Sequence, residues 1–219
     1  MYTYKIDHIP RSTPYNRRPG YPMDATTITI HNTANPSSTA SNERDWLTNS
    51  LNTRTASYHI VIDQKEAIEC IPLNENAWHA GDGSGEKSGN RTSIGIEICE
   101  SGDYETTRDN AADLVANMLL ERKWGTDRLR RHYDWSGKNC PRLMNEDGDW
   151  DGWNSFVKMV GEKMEEKKPQ EPMLDPDDAN NIIRFLSAAY MSTTVEEARK
   201  EFNRLANELR RVSGQPPQP

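Results

Sequence analysis

Ser93-Ile94-Gly95-Ile96-Glu97-Ile98-Cys99 alternates isoleucine with small or polar residues without a break. Successive side chains of a strand point to opposite faces, so Ile94, Ile96 and Ile98 line a buried side while Ser93, Gly95, Glu97 and Cys99 share the other. The stretch therefore reads as a core strand, and it carries a carboxylate on a surface of small residues. Residues 26–31, Thr-Thr-Ile-Thr-Ile-His, repeat the pattern, with Ile28 and Ile30 inward and Thr27, Thr29 and His31 opposite. Residues 58–62 and 67–71 flank Asp63-Gln64-Lys65-Glu66, the signature of two short strands joined by a tight turn. Two helices are expected beside them. Residues 107–124 place Ala111, Leu114, Val115, Met118 and Leu119 on one stripe, and residues 150–164 do the same with Trp150, Trp153, Phe156, Val157, Val160 and Met164. Strands interleaved with helices predict an α/β domain. The hairpin makes its central β-sheet mixed, with helices flanking it.

Around this frame the chain is less regular. The first twenty or so residues, with Pro10, Pro14, Gly20 and Pro22, are expected to form an extended arm lying over the core. Residues 37–51 suggest a helix with Ala40, Leu47 and Leu51 on one face, although serine and asparagine weaken the pattern. Residues 78–81 suggest a third short strand. The glycines at 81, 83, 85 and 89 suggest a mobile loop bordering a groove. The organisation that follows is a domain at 1–164, a charged, proline-punctuated linker at 165–174, a small C-terminal two-helix domain at 175–213 and a disordered tail at 214–219. Asp175 and Pro176 read as the start of the first of these helices, and Thr194 with Glu197 as a capping box for the second. A helical pair this small buries little by itself, which points to docking, self-association into a homo-oligomer, or partner binding.

With 219 residues and a formal charge of -7, the chain lacks the basic face of a general nucleic-acid binder. No run approaches the roughly 18 apolar residues of a membrane span, so no stable membrane association is expected. The N-terminal stretch lacks the apolar core of a signal peptide, which predicts synthesis ending in the cytoplasm. Three unclustered cysteines argue against a disulfide framework.

The chemistry concentrates in residues 131–141, Arg-His-Tyr-Asp-Trp-Ser-Gly-Lys-Asn-Cys-Pro. His132 and Cys140 supply an imidazole and a thiol, two good zinc ligands, and Lys138 adds an ammonium able to stabilise developing negative charge. His31, at the end of its strand, is a candidate third ligand. Three protein ligands plus water is the composition of a catalytic zinc site. Plainer readings stand beside this one. His31 can be bonded to backbone, Cys140 can be a small buried hydrophobe, and Glu97 a surface carboxylate. Cys140 as nucleophile with His132 as base is a further possibility. Asp134 either orients His132 or caps a turn. Tyr58, His59, Trp78 and His79 either line a substrate groove or pack in the core.

Ile28-Thr29-Ile30-His31-Asn32-Thr33, Ala56-Ser57-Tyr58-His59, Ala77-Trp78-His79-Ala80-Gly81, Ser93-Ile94-Gly95-Ile96-Glu97 and the stretch from His132 to Pro141 occur together and in order. In this the chain resembles the type-2 N-acetylmuramoyl-L-alanine amidases, a superfamily that includes the peptidoglycan recognition proteins, and looks most like lysins of phages and prophages of Bacillus-like hosts. The resemblance implies zinc held at His31, His132 and Cys140, a catalytic carboxylate at Glu97 and an assisting lysine at Lys138. It implies bacterial peptidoglycan as partner and substrate, and action on the cell wall after release from the host cytoplasm. Some members bind peptidoglycan without cutting it and commonly lack the thiol ligand. Cys140 is present here, which favours the enzyme.

Overall fold

A computed structural model describes residues 2–168 and 174–218. The chain divides into two compact units, Met1–Lys167 and Lys168–Pro219. The first is built on a six-stranded mixed sheet comprising β1 (Thr3–Ile6), β2 (Thr27–Asn32), β3 (Ile60–Ile62), β4 (Glu66–Glu69), β5 (Ser93–Ile98) and β6 (Leu129–Arg131), in the order β1-β4-β3-β5-β2-β6. β3 and β4 form the expected antiparallel hairpin, and β3, β5, β2 and β6 run parallel to one another. Asp63 shapes the hairpin turn, its Oδ1 accepting the amides of Lys65 at 2.7 Å and Glu66 at 2.9 Å.

The helices of this unit are α1 (Ala40–Trp46), α2 (Gly89–Thr92), α3 (Tyr104–Arg122), α4 (His132–Ser136) and α5 (Asp151–Lys167). Ile28, Ile30, Ile60, Ile62, Ile94, Ile96 and Ile98 close one face of the sheet against the buried stripe of α3 and against Trp153, Phe156 and Val160 of α5. Asp103 caps α3 by accepting from the amides of Glu105 and Thr106. A smaller cluster that includes Val61, Ile68, Cys70, Cys99, Tyr58 and Leu47 fills part of the opposite face. The rest of that face is left for the site.

Several expectations are corrected. The N-terminal arm contains β1, an edge strand paired parallel with β4 through its backbone while its own side chains stay exposed. A strand that buries no face has no apolar alternation to betray it. α1 is shorter than residues 37–51, and Leu51 is exposed. Asn49 and Asn52 turn back to accept the amides of Leu51 and Arg54, offering the backbone an alternative to helix. Buried Arg17 takes the carbonyls of Leu47, Asn52 and Arg54 that this leaves over. Residues 78–81 are not a strand, because their amides are engaged by the side chains of Ser57 and Asn90 instead of a ladder. The glycine-rich segment is tied down, Gly89 donating to Asp82 at 2.6 Å and Asn90 to the carbonyl of Gly83 at 2.7 Å.

α5 runs past 164 to Lys167, where Lys163–Asp109 and Lys167–Asp113 ion pairs, each 2.7 Å, fasten its last turns to α3. Residues 169–173 of the expected linker lie outside the described residues. The second unit holds α6 (Pro176–Ser192), capped by Asp175 as expected, and α7 (Glu196–Val212). The Thr194–Glu197 capping box does not form; Val195 occupies the cap position without a side-chain bond. In the tail, Gln218 hydrogen-bonds Asn207 and Arg210 of α7.

Candidate active site

The parallel strands β5, β2 and β6 end side by side, and ligands in such sheets gather beyond the carboxyl ends of the strands. In register, His31 on β2 pairs with Glu97 on β5, and Ile30 pairs with Arg131 on β6. The next residue after Arg131 is His132, the first residue of α4. Three adjacent strands therefore deliver Glu97, His31 and His132 to one edge. Gly137, at φ 73°, ends α4 and turns the chain back, and a hydrogen bond from the Tyr133 amide to the Cys140 carbonyl at 3.1 Å closes the loop that returns Cys140 to the histidines.

The three ligand atoms converge. His31 Nδ1 lies 3.0 Å from His132 Nδ1 and 3.8 Å from Cys140 Sγ, and one atom from each residue falls within 4.8 Å of the others. All three side chains are buried. Burial holds the His31 imidazole well below its ordinary value, with His79, His132, Lys138 and His59 adding to the effect, and brings His132 down to about 4, helped by Lys138. Both rings are thus neutral, the form that binds metal. Burial also pushes the Cys140 thiol up to about 12. A raised thiol beside depressed imidazoles is the opposite of an activated thiolate–imidazolium pair. The same set suits a divalent cation, which displaces the thiol proton on binding.

Glu97 stands next to this group. Its Oε2 is buried and has no hydrogen-bond partner among the described residues. Desolvation, with a smaller contribution from Glu43 and against the pull of Lys138, raises its carboxyl to about 8. An orphaned carboxylate oxygen is costly in a packed interior and recurs where chemistry is done. Exposed Lys138 forms no salt bridge among the described residues and shares with Glu97 and His132 a groove of about 680 Å³. Trp46, Tyr58 and half-buried Trp78 wall this groove. Tyr58 is anchored by its hydroxyl, which donates to the Glu43 carbonyl at 2.8 Å, and Trp78 by its indole N–H to the Asn16 carbonyl at 2.9 Å.

Two of the four residues expected in the groove have other employment. His59 is fully buried, its Nε2 bonded to the Glu75 carbonyl and its Nδ1 accepting the Gly95 amide, and it is not among the residues that line the groove. His79 borders the groove, yet both its ring nitrogens are taken within the protein. Asp134 accepts from the amide and guanidinium of Arg131, pinning the start of α4, and these bonds, not one to His132, are its hydrogen bonds among the described residues. Sequence reasoning passed over Glu43, which faces the groove from a helix too short to show a period. It also passed over Asn32, whose Oδ1 holds the Leu143 amide at 3.1 Å and so ties β2 to the chain just beyond Cys140.

Fold and site together define a mixed α/β domain that gathers two imidazoles, a thiol and a raised carboxyl at the ends of parallel strands. A family model described as N-acetylmuramoyl-L-alanine amidase matches residues 21–143, and the chain belongs to that family. The amidase XlyB of Bacillus subtilis (strain 168) is 49% identical over 133 residues, covering 59% of this chain and 41% of that protein. CwlH of the same organism, also an N-acetylmuramoyl-L-alanine amidase, is 35% identical over 202 residues, covering 91% of this chain and 77% of that protein. Among solved structures, the catalytic domain of XlyA is 40% identical at a TM-score of 0.65, covering 73% of this chain and 99% of that one. The chain spans less than half the length of XlyB and of B. subtilis CwlA.

Proposed function

We propose that this chain is a zinc-dependent amidase that hydrolyses the bond between the lactyl group of N-acetylmuramic acid and L-alanine in bacterial peptidoglycan, acting as a phage or prophage endolysin. The observation that carries the reading is the convergence of His31, His132 and Cys140 beside the unpartnered oxygen of Glu97. His31 Nδ1, His132 Nδ1 and Cys140 Sγ would hold the metal. Zinc, when bound there, supplies Lewis acidity that polarises a carbonyl and makes water more acidic.

The remaining work falls to the chain's own groups. The groove walls Trp46, Tyr58 and Trp78 hold the muropeptide with its amide over the strand ends. Glu97, in its ionised form, takes the proton of the attacking water and returns it to the departing alanine nitrogen as the C–N bond breaks, its raised carboxyl suiting the second transfer. Lys138 neutralises the oxyanion that develops on the lactyl carbonyl oxygen. Hydrolysis leaves a lactyl carboxyl group and a free alanine amino terminus. The raised Cys140 thiol speaks against a thiol-nucleophile mechanism, and the complete ligand set with Glu97 speaks against a receptor that only binds.

Purified walls treated with the protein are expected to release new alanine amino termini, to stop doing so after chelation, and to resume when zinc is restored. Activity untouched by chelation would exclude the metal reading, and the absence of new alanine termini would exclude the amidase. The C-terminal helices are assigned to wall binding or self-association. Removing residues 175–219 is expected to weaken wall pull-down or to lower the mass in solution; no change in either would remove the assignment.

A further inference from the structure

His79 is buried against β5, where Gly95 has no side chain; a Cβ at that position would lie 2.6 Å from His79 Cγ. The ring is locked at both ends. Its Nε2 is 3.0 Å from the carbonyl oxygen of Ser93, and its Nδ1 is 3.0 Å from His31 Nε2. The chain of bonds has only one proton arrangement when both rings are neutral. A carbonyl oxygen has no proton to give, so His79 Nε2 must be the donor there, which leaves His79 Nδ1 as an acceptor. That acceptor requires the proton of His31 to sit on Nε2. The lone pair of His31 is then on Nδ1, the atom facing His132 Nδ1 and Cys140 Sγ.

We propose that His79 is a positioning residue that sets the tautomer and ring orientation of His31, so that the backbone carbonyl of Ser93 dictates, through two imidazoles, which nitrogen of His31 is free to bind metal. The inference rests on the metal reading above. It also assigns a purpose to two features the reaction leaves unexplained, the glycine at 95 and the paired amides of residues 79 and 80 on Asn90 Oδ1, at 2.7 and 2.8 Å, which clamp the backbone that carries the ring. Partners of this kind, which bond to the far nitrogen of a metal-binding histidine, typically govern affinity by 10- to 100-fold.

Two measurements on the full chain test the proposal. In the zinc-free wild-type protein, long-range ¹H–¹⁵N correlation spectra of the imidazoles are expected to show both His79 and His31 protonated on Nε2; a His31 protonated on Nδ1 would overturn the proposal without any variant having to fold. Competition with a chromophoric chelator then gives zinc affinity. His79→Leu, which keeps bulk and loses the acceptor, is expected to bind zinc 10- to 100-fold more weakly than wild type. His79→Asn, whose Oδ1 can take the place of Nδ1, is expected to recover most of that loss. The cobalt(II) absorption of His79→Leu should differ from wild type in band position. Wild-type affinity and an unchanged cobalt spectrum in His79→Leu would refute the positioning role, whereas failure of the wild-type protein itself to bind zinc would refute the metal site instead.

Discussion

Glu97 illustrates what one side chain contributes and costs. A carboxyl raised to about 8 in the native protein binds its proton more tightly folded than unfolded, where its ordinary value is 4.5. Native stability therefore falls as pH climbs through that interval, because the unfolded chain releases the proton first. Glu97→Gln removes the titration, so in chelator its melting temperature should vary less between pH 4.5 and 8 than that of wild type; equal slopes would show that the acid is not raised. Lys138 makes the complementary case. It is exposed and outside the ligand set, so Lys138→Ala should retain zinc at one equivalent while kcat drops by about 10²- to 10³-fold, the usual consequence of losing one oxyanion donor. Unchanged kcat in steady-state wall hydrolysis would strip Lys138 of that role.

At the scale of elements, polar contacts tie the N-terminal arm to the chain that leads into the groove wall. Glu75 ties the N-terminal arm to the chain before Trp78, accepting from Arg18 Nε at 2.8 Å and Arg11 Nη2 at 2.9 Å. The Arg18 hydrogen bond leads in holding its carboxyl down to about 2, against the effect of burial. Because the folded value lies below the ordinary one, this stabilisation is complete above about 4.5 and is lost as pH falls through about 2. Glu75→Gln should melt below wild type at neutral pH, and the gap should close on acidification; a gap independent of pH would mean the loss is one of shape and not of charge. β5 offers a second test. Gly95→Ala sets a methyl against the His79 ring, an overpacking that typically costs about 1–3 kcal/mol, and calorimetry should show a lowered Tm. A wild-type Tm would show that the ring has room to move.

For the molecule as a whole, the two apolar clusters that build the sheet's faces are composed entirely of residues before 168. A fragment ending at Lys167 should therefore unfold in one cooperative transition and keep its zinc stoichiometry, as followed by circular dichroism and metal analysis. A broad, non-cooperative melt would show that the C-terminal unit supplies part of the core. That unit buries little apolar surface of its own, with Ala179, Ile183 and Ala206 inside and Phe185 and Met191 about four-fifths exposed. Among the described residues no helix is long and apolar enough to cross a membrane.

Much of this was legible without coordinates. The isoleucine alternation of residues 93–99 and 26–31 determined two central strands, their buried faces and the surface that carries Glu97 and His31, because side-chain direction in a strand follows from parity alone. Co-occurring motifs pointed to the family. What parity cannot express is adjacency. β6 is three residues, Leu-Arg-Arg, with no apolar period, and only its pairing with β2 shows why His132 arrives beside His31. β1 was hidden for the same reason, since a strand joined through its backbone leaves no mark in its side chains. The histidines divide likewise. Sequence placed His59 and His79 near the site, and only the tertiary structure separated them: one is spent on the carbonyl of Glu75 and the amide of Gly95, and the other stands between the carbonyl of Ser93 and the ring of His31. Hydrogen-bond partners of a buried ring come from distant segments, so its role is decided by packing and not by its neighbours in the chain.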